Sequence, residues 1–263
     1  MTEKFKRGHL DLPILLLMPI LAAIVSLIIK ANYFWTIIFF LATPGIYLSF
    51  RAPKYIKKTF IFSLLASIPA ILVVDYIGQR TDQWIIPSSI STVRFFGVTQ
   101  VEQLIWAFFN FYSVIIFYKY FLDRHYSQGL WGRRLRYVII IGLLLMAPFL
   151  LLLWQKPEIL NIPYFYFLFG LALIAVPAIG EPLRKPNLST RFLKTAAYFF
   201  YLSFIFEITA LQLGCWTFPS TQFIGWIQVS NIRFPLEELI FWIILFSMAV
   251  LGTYEKFDEE EKY

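Results

Sequence analysis

The hydrophobic positions of this chain run in long blocks separated by short polar stretches. Eight blocks, near 12–30, 33–50, 59–77, 100–122, 137–154, 163–181, 192–213 and 234–253, are long enough to cross a bilayer, which takes about 20 helical residues each. Strands do not explain such runs, because an open sheet leaves backbone groups unsatisfied in lipid and the alternation of a barrel is absent. The predicted fold class is therefore all-α integral membrane with eight transmembrane helices. Basic residues precede the first block but no small-residue cleavage site follows it, so it reads as a retained helix rather than a signal peptide.

The polar stretches set an orientation. Eighteen of the 23 Lys and Arg residues fall in the N-terminal tail, every second loop and the C-terminal tail. Among them are Lys4, Lys6 and Arg7; Arg51, Lys54, Lys57 and Lys58; Arg133, Arg134 and Arg136; and Arg184 and Lys185. The opposite loops hold only Lys30, Arg80, Arg94, Lys156 and Arg233. The positive-inside rule puts both termini in the cytoplasm of a multi-pass cell-membrane protein. The net charge of +7 is this cytoplasmic band, which favours anionic lipid headgroups and calls for no nucleic-acid partner.

An ordered set of echoes divides the chain. Leu15-Leu16-Leu17-Met18-Pro19 returns as Leu143-Leu144-Leu145-Met146-Ala147-Pro148, Tyr33-Phe34-Trp35 as Tyr164-Phe165-Tyr166, and Pro44 as Pro177. Asp75 stands nine residues before Trp84, and Glu207 nine before Trp216, with Pro87 and Pro219 three places on. Val101-Glu102-Gln103-Leu104-Ile105-Trp106 returns as Leu236-Glu237-Glu238-Leu239-Ile240-Phe241. The offsets drift only from 128 (Leu15 to Leu143) to 135 (Glu102 to Glu237). The chain thus reads as two four-helix units, 1–130 and 131–263. An even number of helices per unit makes this a parallel repeat about an axis along the membrane normal, unlike the inverted repeats of many transporters.

Composition narrows the chemistry. Hydrophobic residues make up 59% of the chain and charged residues 15%, against about 25% charged in soluble domains. A single cysteine, Cys215, excludes an intrachain disulfide, and His9 and His125 read as surface residues of basic segments, with no Cys/His cluster to suggest a metal. Acidic side chains at membrane depth are costly and are functional candidates by default. Glu207 lies inside the seventh block, Glu237 and Glu238 open the eighth after Pro235, Glu102 opens the fourth, and Asp75 closes the third. All five gather at helix ends on the non-cytoplasmic side. Each Glu in a first turn also has the ordinary reading of a helix cap at the positive dipole end, and Pro235 suits a first turn. Neighbours on a helix point about 100° apart, so Glu237 and Glu238 cannot share a face. The aligned pair Glu102 and Glu237, each on a face with Trp106 or Phe241, is expected to point to the bundle interior.

From Glu207 the chain reads Glu-x7-Cys-Trp-Thr-Phe-Pro, then Phe234-Pro235-Leu236-Glu237-Glu238-Leu239-Ile240-Phe241, then Thr253-Tyr254-Glu255. This resembles the repeat unit of the small membrane-embedded lycopene cyclases, known as two-subunit bacterial enzymes, fused archaeal chains and bifunctional fungal proteins. The resemblance covers both units; the second is specific and the first degenerate. Gln100 replaces the family Pro, Gln103 a second carboxylate, and Glu207 an Asp, which leaves open which unit carries the chemistry. The resemblance implies a proton-initiated cyclisation of the linear ends of lycopene, a net isomerisation. Glu237, Glu102, Glu238, Glu207 and Asp75 are then the candidate acids and bases. Trp216, Trp84, Phe241, Trp242, Trp106 and Pro235 would surround the substrate, and aromatic faces stabilise a carbocation by about 0.5–2 kcal/mol each. No G-x-G-x-x-G fingerprint is present, so no flavin or nicotinamide cofactor is expected. The implied partners are lycopene or a related linear carotenoid and membrane lipid, with a homo-oligomer or association with other carotenoid-pathway enzymes left open. Two alternatives stand: another carotenoid end-group enzyme such as a hydratase, or a non-catalytic carotenoid or lipid carrier or transporter, to which Pro19, Pro148, Pro44 and Pro177 could contribute as helix breaks or as plain kinks.

Overall fold

A computed structural model describes residues 3–123 and 135–258. The expected unit boundary near 130, together with His125, Arg133 and Arg134, lies outside the described residues, as do the side chains of Lys4, Lys6, Arg7 and His9. Among the described residues, eight helical spans are long and apolar enough to cross a membrane: Leu10–Ile29, Tyr33–Arg51, Pro53–Arg80, Val101–Phe121, Leu135–Gln155, Phe165–Arg184, Pro186–Gln212 and Glu238–Lys256. They match the eight apolar blocks one for one. The fourth and eighth spans are central, each 61% buried, whereas the fifth is 11% buried and lies at the periphery. Most of its apolar side chains are not covered by protein.

The second and sixth spans share one internal layout. Each begins as an α-helix, widens into a π-helical stretch (Ile38–Ala42, Gly170–Ala175), and resumes as an α-helix. In both, the proline lies just beyond the wide turn, at Pro44 and Pro177. Proline has no N–H to donate and its ring clashes with the carbonyl four residues back, so the wider turn relieves the clash. The Ile38 carbonyl accepts from both the backbone N–H and, at 2.8 Å, the hydroxyl of Thr43.

Two antiparallel hairpins precede the fourth and eighth spans: β1 (Arg94–Phe95) with β2 (Thr99–Gln100), and β3 (Trp226–Val229) with β4 (Ile232–Pro235). The eighth block was expected to run from 234, but Phe234 and Pro235 belong to β4 and the helix opens after them. Pro235 therefore closes a strand rather than occupying a first helical turn. Its missing N–H is tolerated because its ladder partner is Trp226 at the very end of the hairpin.

The loops that follow the third and seventh spans are zipped together. Ile85 and Thr217, each the residue after a matched tryptophan, exchange both backbone hydrogen bonds at 2.9 Å. The Ser220 N–H donates to the Asp82 carbonyl at 3.0 Å, and the Gln83 amide donates to the Ser220 hydroxyl at 3.1 Å. Equivalent points of the two halves thus meet each other at the end of the bundle that carries the hairpins.

Candidate functional site

Just below those loops, four side chains of each half form a matching set. In the first half, Asp75 ends the third span. The Trp84 indole N–H donates to its Oδ1 at 2.9 Å, the Gln103 amide to the same oxygen at 2.6 Å, and the Gln79 amide to Oδ2 at 2.6 Å. The Tyr33 hydroxyl donates to the Gln103 carbonyl oxygen at 2.7 Å. In the second half, the Trp216 indole N–H donates to Glu207 Oε1 at 3.0 Å and the Tyr166 hydroxyl donates to Glu238 Oε2. Glu207 and Glu238 are both buried and line the wall of the same cavity. The set acid–Trp–Gln–Tyr of one half is acid–Trp–Glu–Tyr in the other.

That single difference separates the chemistry of the halves. Asp75 is an acceptor surrounded by donors, so every bond it makes suits a carboxylate. Glu207 and Glu238 are both acceptors when ionised, and a hydrogen bond between them needs a proton on one of the two. At this position the halves differ: two acids share the cavity wall in one, and an amide bonded to an acid stands in the other.

The two sets interlock. The Tyr33 ring stands edge-on to Trp216 at 5.5 Å, and Tyr166 edge-on to Trp84 at 5.3 Å. Between them lies a cavity of ≈ 70 Å³, with Glu207, Glu238 and Gln103 as its polar wall. Both tyrosines and the indoles of Trp84, Trp216, Trp106 and Trp242 complete it. Trp106 and Trp242 stack at 4.5 Å, 14° from parallel, and form the face toward the middle of the bundle.

Sequence-predicted residues divide accordingly. Glu207, Glu238, Trp216, Trp84, Trp106 and Trp242 are brought together at the cavity, with Asp75 behind Gln103 and Trp84. Glu102 and Glu237 are buried as expected, but their carboxyls hold loops and are not part of the cavity wall. Glu102 Oε1 accepts from the Ile90 N–H at 2.6 Å and both its oxygens lie 2.7 Å from the Ser89 hydroxyl. Glu237 Oε1 accepts from the Ile224 N–H at 2.7 Å, while its Oε2 has no partner among the described residues. Burial pushes the Glu237 carboxyl above the usual carboxylate range, against the pull of the Ile224 N–H. The hairpins explain the placement: each folds its preceding loop over the helix start, and the first carboxylate of each span ties that loop down. Phe241 packs instead against Gly170 of the sixth span, and Pro235 lies in β4. The Tyr254-Glu255 pair lies at the far end of the eighth span, where Glu255 accepts from the Tyr118 hydroxyl at 2.7 Å.

Two residues of the cavity wall, Tyr33 and Tyr166, escaped sequence reasoning. Tyr33 was aligned with Tyr164, whereas its structural counterpart is Tyr166. The offset of 133 that relates Pro44 to Pro177 gives Tyr166 directly. Among the described residues no group of three or more His, Cys, Asp or Glu side chains is placed to hold a metal ion. No protein-family model, curated protein or solved structure matches the chain.

Proposed function

We propose that the chain is a membrane-embedded lycopene cyclase in which Glu238 and Glu207 together are the acid. The observation that supports this is that both acids line one aromatic cavity, where the other half has Gln103 and a donor-saturated Asp75. The two halves are parallel four-helix repeats, supported by the like-to-like pairing of Ile85 with Thr217 and by the matched hairpins and π-helical stretches. They sit in the cell membrane with both termini on the cytoplasmic, basic side.

The reaction balances without a redox partner. The carboxyl pair delivers its proton to the terminal double bond of lycopene, and that bond's electron pair forms the new C–H bond. The resulting cation is attacked by the nearby double bond of the same end group, which forms the ring C–C bond. Loss of a neighbouring proton turns a C–H pair into the ring double bond. Proton donation leaves two adjacent carboxylates, an arrangement that like-charge repulsion disfavours. The pair is therefore a strong acceptor for the departing proton and returns to its starting state. The Trp216 N–H and the Tyr166 O–H hold one oxygen of each acid throughout, so the repulsion does not drive them apart. The indole faces around the cavity oppose the positive charge as it moves through the ring.

A hydratase is the second reading, and the cavity size favours keeping it: ≈ 70 Å³ leaves room for about five waters at roughly 10–15 Å³ each. Water left in place would capture the cation as an alcohol. Expression in a lycopene-accumulating bacterium separates the readings. Ring-bearing pigment is expected, and its loss with Glu238→Gln. Hydroxylated acyclic pigment would establish the hydratase, and unchanged lycopene beside normally inserted protein would remove both.

A further inference from the structure

The aromatic cavity lies at the end of the bundle that carries the hairpins. A second space, sharing no wall residue with it, occupies the opposite half. It is a groove of ≈ 480 Å³ between the fifth and sixth spans, floored by the third, fourth and eighth. It runs from the middle of the bundle to the end where the sixth and eighth spans stop. Along the sixth span it reaches from Ala172 to Arg184, about 18 Å at 1.5 Å per residue. Half of a ~30 Å hydrocarbon core is about 15 Å, so the groove is as long as one leaflet is deep.

Close helix contacts leave this gap open. The fifth span packs chiefly on the third and the sixth on the eighth. A Cβ on Gly142 of the fifth would sit 3.3 Å from Pro69 Cγ of the third, and one on Gly252 of the eighth 2.2 Å from the Pro177 carbonyl oxygen of the sixth. Each pair thus closes on itself. Gly180, in the gap between the pairs, has nothing within 4 Å of where its Cβ would be.

The groove changes character along its length. Toward the middle of the bundle its exposed walls are apolar, with Ile141 on one side and Leu173 and Val176 on the other. At the outer end its wall carries Glu181, Arg184 and Lys256. Glu181 pairs with Arg184 at 2.8 Å and with Lys185 at 3.4 Å. Lys256 is exposed and makes no ion pair among the described residues. Arg136 lies in the first turn of the fifth span, at the same end. The neighbouring acids are engaged elsewhere: Glu255 accepts from the Tyr118 hydroxyl, and Asp258 pairs with Lys58 and Lys119. Four cations therefore stand at the mouth of an apolar slot, against the single carboxylate of Glu181.

We propose that this groove holds an anionic phospholipid of the cytoplasmic leaflet, with its phosphate at Arg184 and Lys256 and an acyl chain along Val176 and Ile141. Charge and length together select this occupant. A free acyl chain needs no cations, a soluble phosphate needs no apolar slot, and a zwitterionic lipid brings a cation of its own to the basic mouth. The positive-inside rule puts this end in the cytoplasm, where anionic lipids are concentrated and basic pockets between spans bind their headgroups. The inference rests on the membrane placement of the spans and is independent of the cyclase reading.

The test reconstitutes the full-length protein in vesicles of phosphatidylcholine containing a trace of phosphatidylglycerol with a diazirine on its acyl chain. Crosslinks mapped by peptide mass spectrometry are expected on the fifth and sixth spans, around Ile141 and Leu173. Replacing part of the phosphatidylcholine by unlabelled phosphatidylglycerol is expected to compete them away, and inorganic phosphate is expected to leave them unchanged. Lys256→Gln, which breaks no ion pair among the described residues, is expected to reduce them about fivefold, the effect of one cation near an anionic headgroup. Gly180→Phe, which fills the slot, is expected to remove them. Crosslinks spread over the outer faces of all the spans overturn the proposal, as do groove crosslinks indifferent to phosphatidylglycerol or to Lys256→Gln. Displacement by inorganic phosphate also overturns it, because the mouth is then a site for soluble anions. The mapping on the unaltered protein does not depend on either variant folding. Protein that fails to float with the vesicles would remove the membrane placement itself and the proposal with it. Ring formation is not read, so groove crosslinking beside a protein that forms no rings sustains the lipid site while removing the cyclase reading.

Discussion

At the scale of single residues, adjacent carboxyls of one sequence motif are asked to do different things. Glu238 shares the cavity wall with Glu207, and Glu237 holds the Ile224 N–H. Glu238→Gln is expected to lower ring formation by about 10²–10⁴, the range that a positioned proton donor supplies, with little change in thermal stability. Glu237→Ala is expected to act the other way round. It removes the acceptor of a part-buried hydrogen bond, worth about 0.5–1.5 kcal/mol, and should lower the unfolding temperature while ring formation falls less than tenfold. Paired pigment and thermal-melt measurements on the two variants check this, and a reversed order would move the acid to Glu237. Sequence reasoning favoured Glu237 and Glu102 because they align between the halves. Helical geometry correctly separates Glu237 from Glu238 by about 100°, but it does not say which of the two directions is the cavity. That was decided by hairpins β1–β2 and β3–β4, whose turns carry positive φ at Phe96, Gly97 and Ser230 without a two-residue turn signature in the sequence. Cys215 gives a separate check: burial pushes its thiol up to about 11, so near neutral pH it stays protonated and enclosed. Water-soluble maleimide is expected to label it only after denaturation, and rapid labelling of the native protein would show that the Trp216 loop opens.

At the scale of elements, the spans were legible because outward-facing and inward-facing positions are both apolar, which makes the blocks continuous. Their ends were less so: the helix of the third block, placed at 59–77, extends to Pro53–Arg80 because its polar last turn carries Gln79, the donor to Asp75. The prolines were read as breaks or kinks, and the structure resolves Pro44 and Pro177 into π-helical widening of two otherwise continuous helices. Close helix contacts were invisible in the sequence, since they depend on which glycine faces which neighbour. The ring of Phe241 lies over Gly170, where an added Cβ would come within 2.2 Å of it. Gly170→Ala is expected to destabilise the protein by about 1–3 kcal/mol through overpacking, and Phe241→Leu in the same chain should recover most of the loss. A double-mutant cycle of thermal stabilities measures the coupling; additive effects would mean that the two residues do not meet.

At the scale of the whole molecule, matched side chains from the first four and the last four spans line one cavity without forming identical sets. Tyr33 reaches Trp216 and Tyr166 reaches Trp84, so each half completes the other's acid set. The internal repeat made this legible in outline, and the replacement of Glu238 by Gln103 in the first half marked the asymmetry before any geometry was known. What the sequence did not show is that Gln103 saturates Asp75 rather than leaving a gap. Gln103→Glu is therefore expected not to create a second active half. It would set two acids together beside the Gln79 and Trp84 donors and should reduce stability without raising ring formation. The central claim is that a proton from the protein starts ring closure and the substrate returns one. Reaction of the reconstituted protein with lycopene in D₂O tests it most directly, by mass spectrometry of the pigment. One solvent deuteron carried into the product for each ring formed, and no added oxygen, is the expected result; a product carrying the elements of water, or a ring formed without any solvent deuterium, would contradict it.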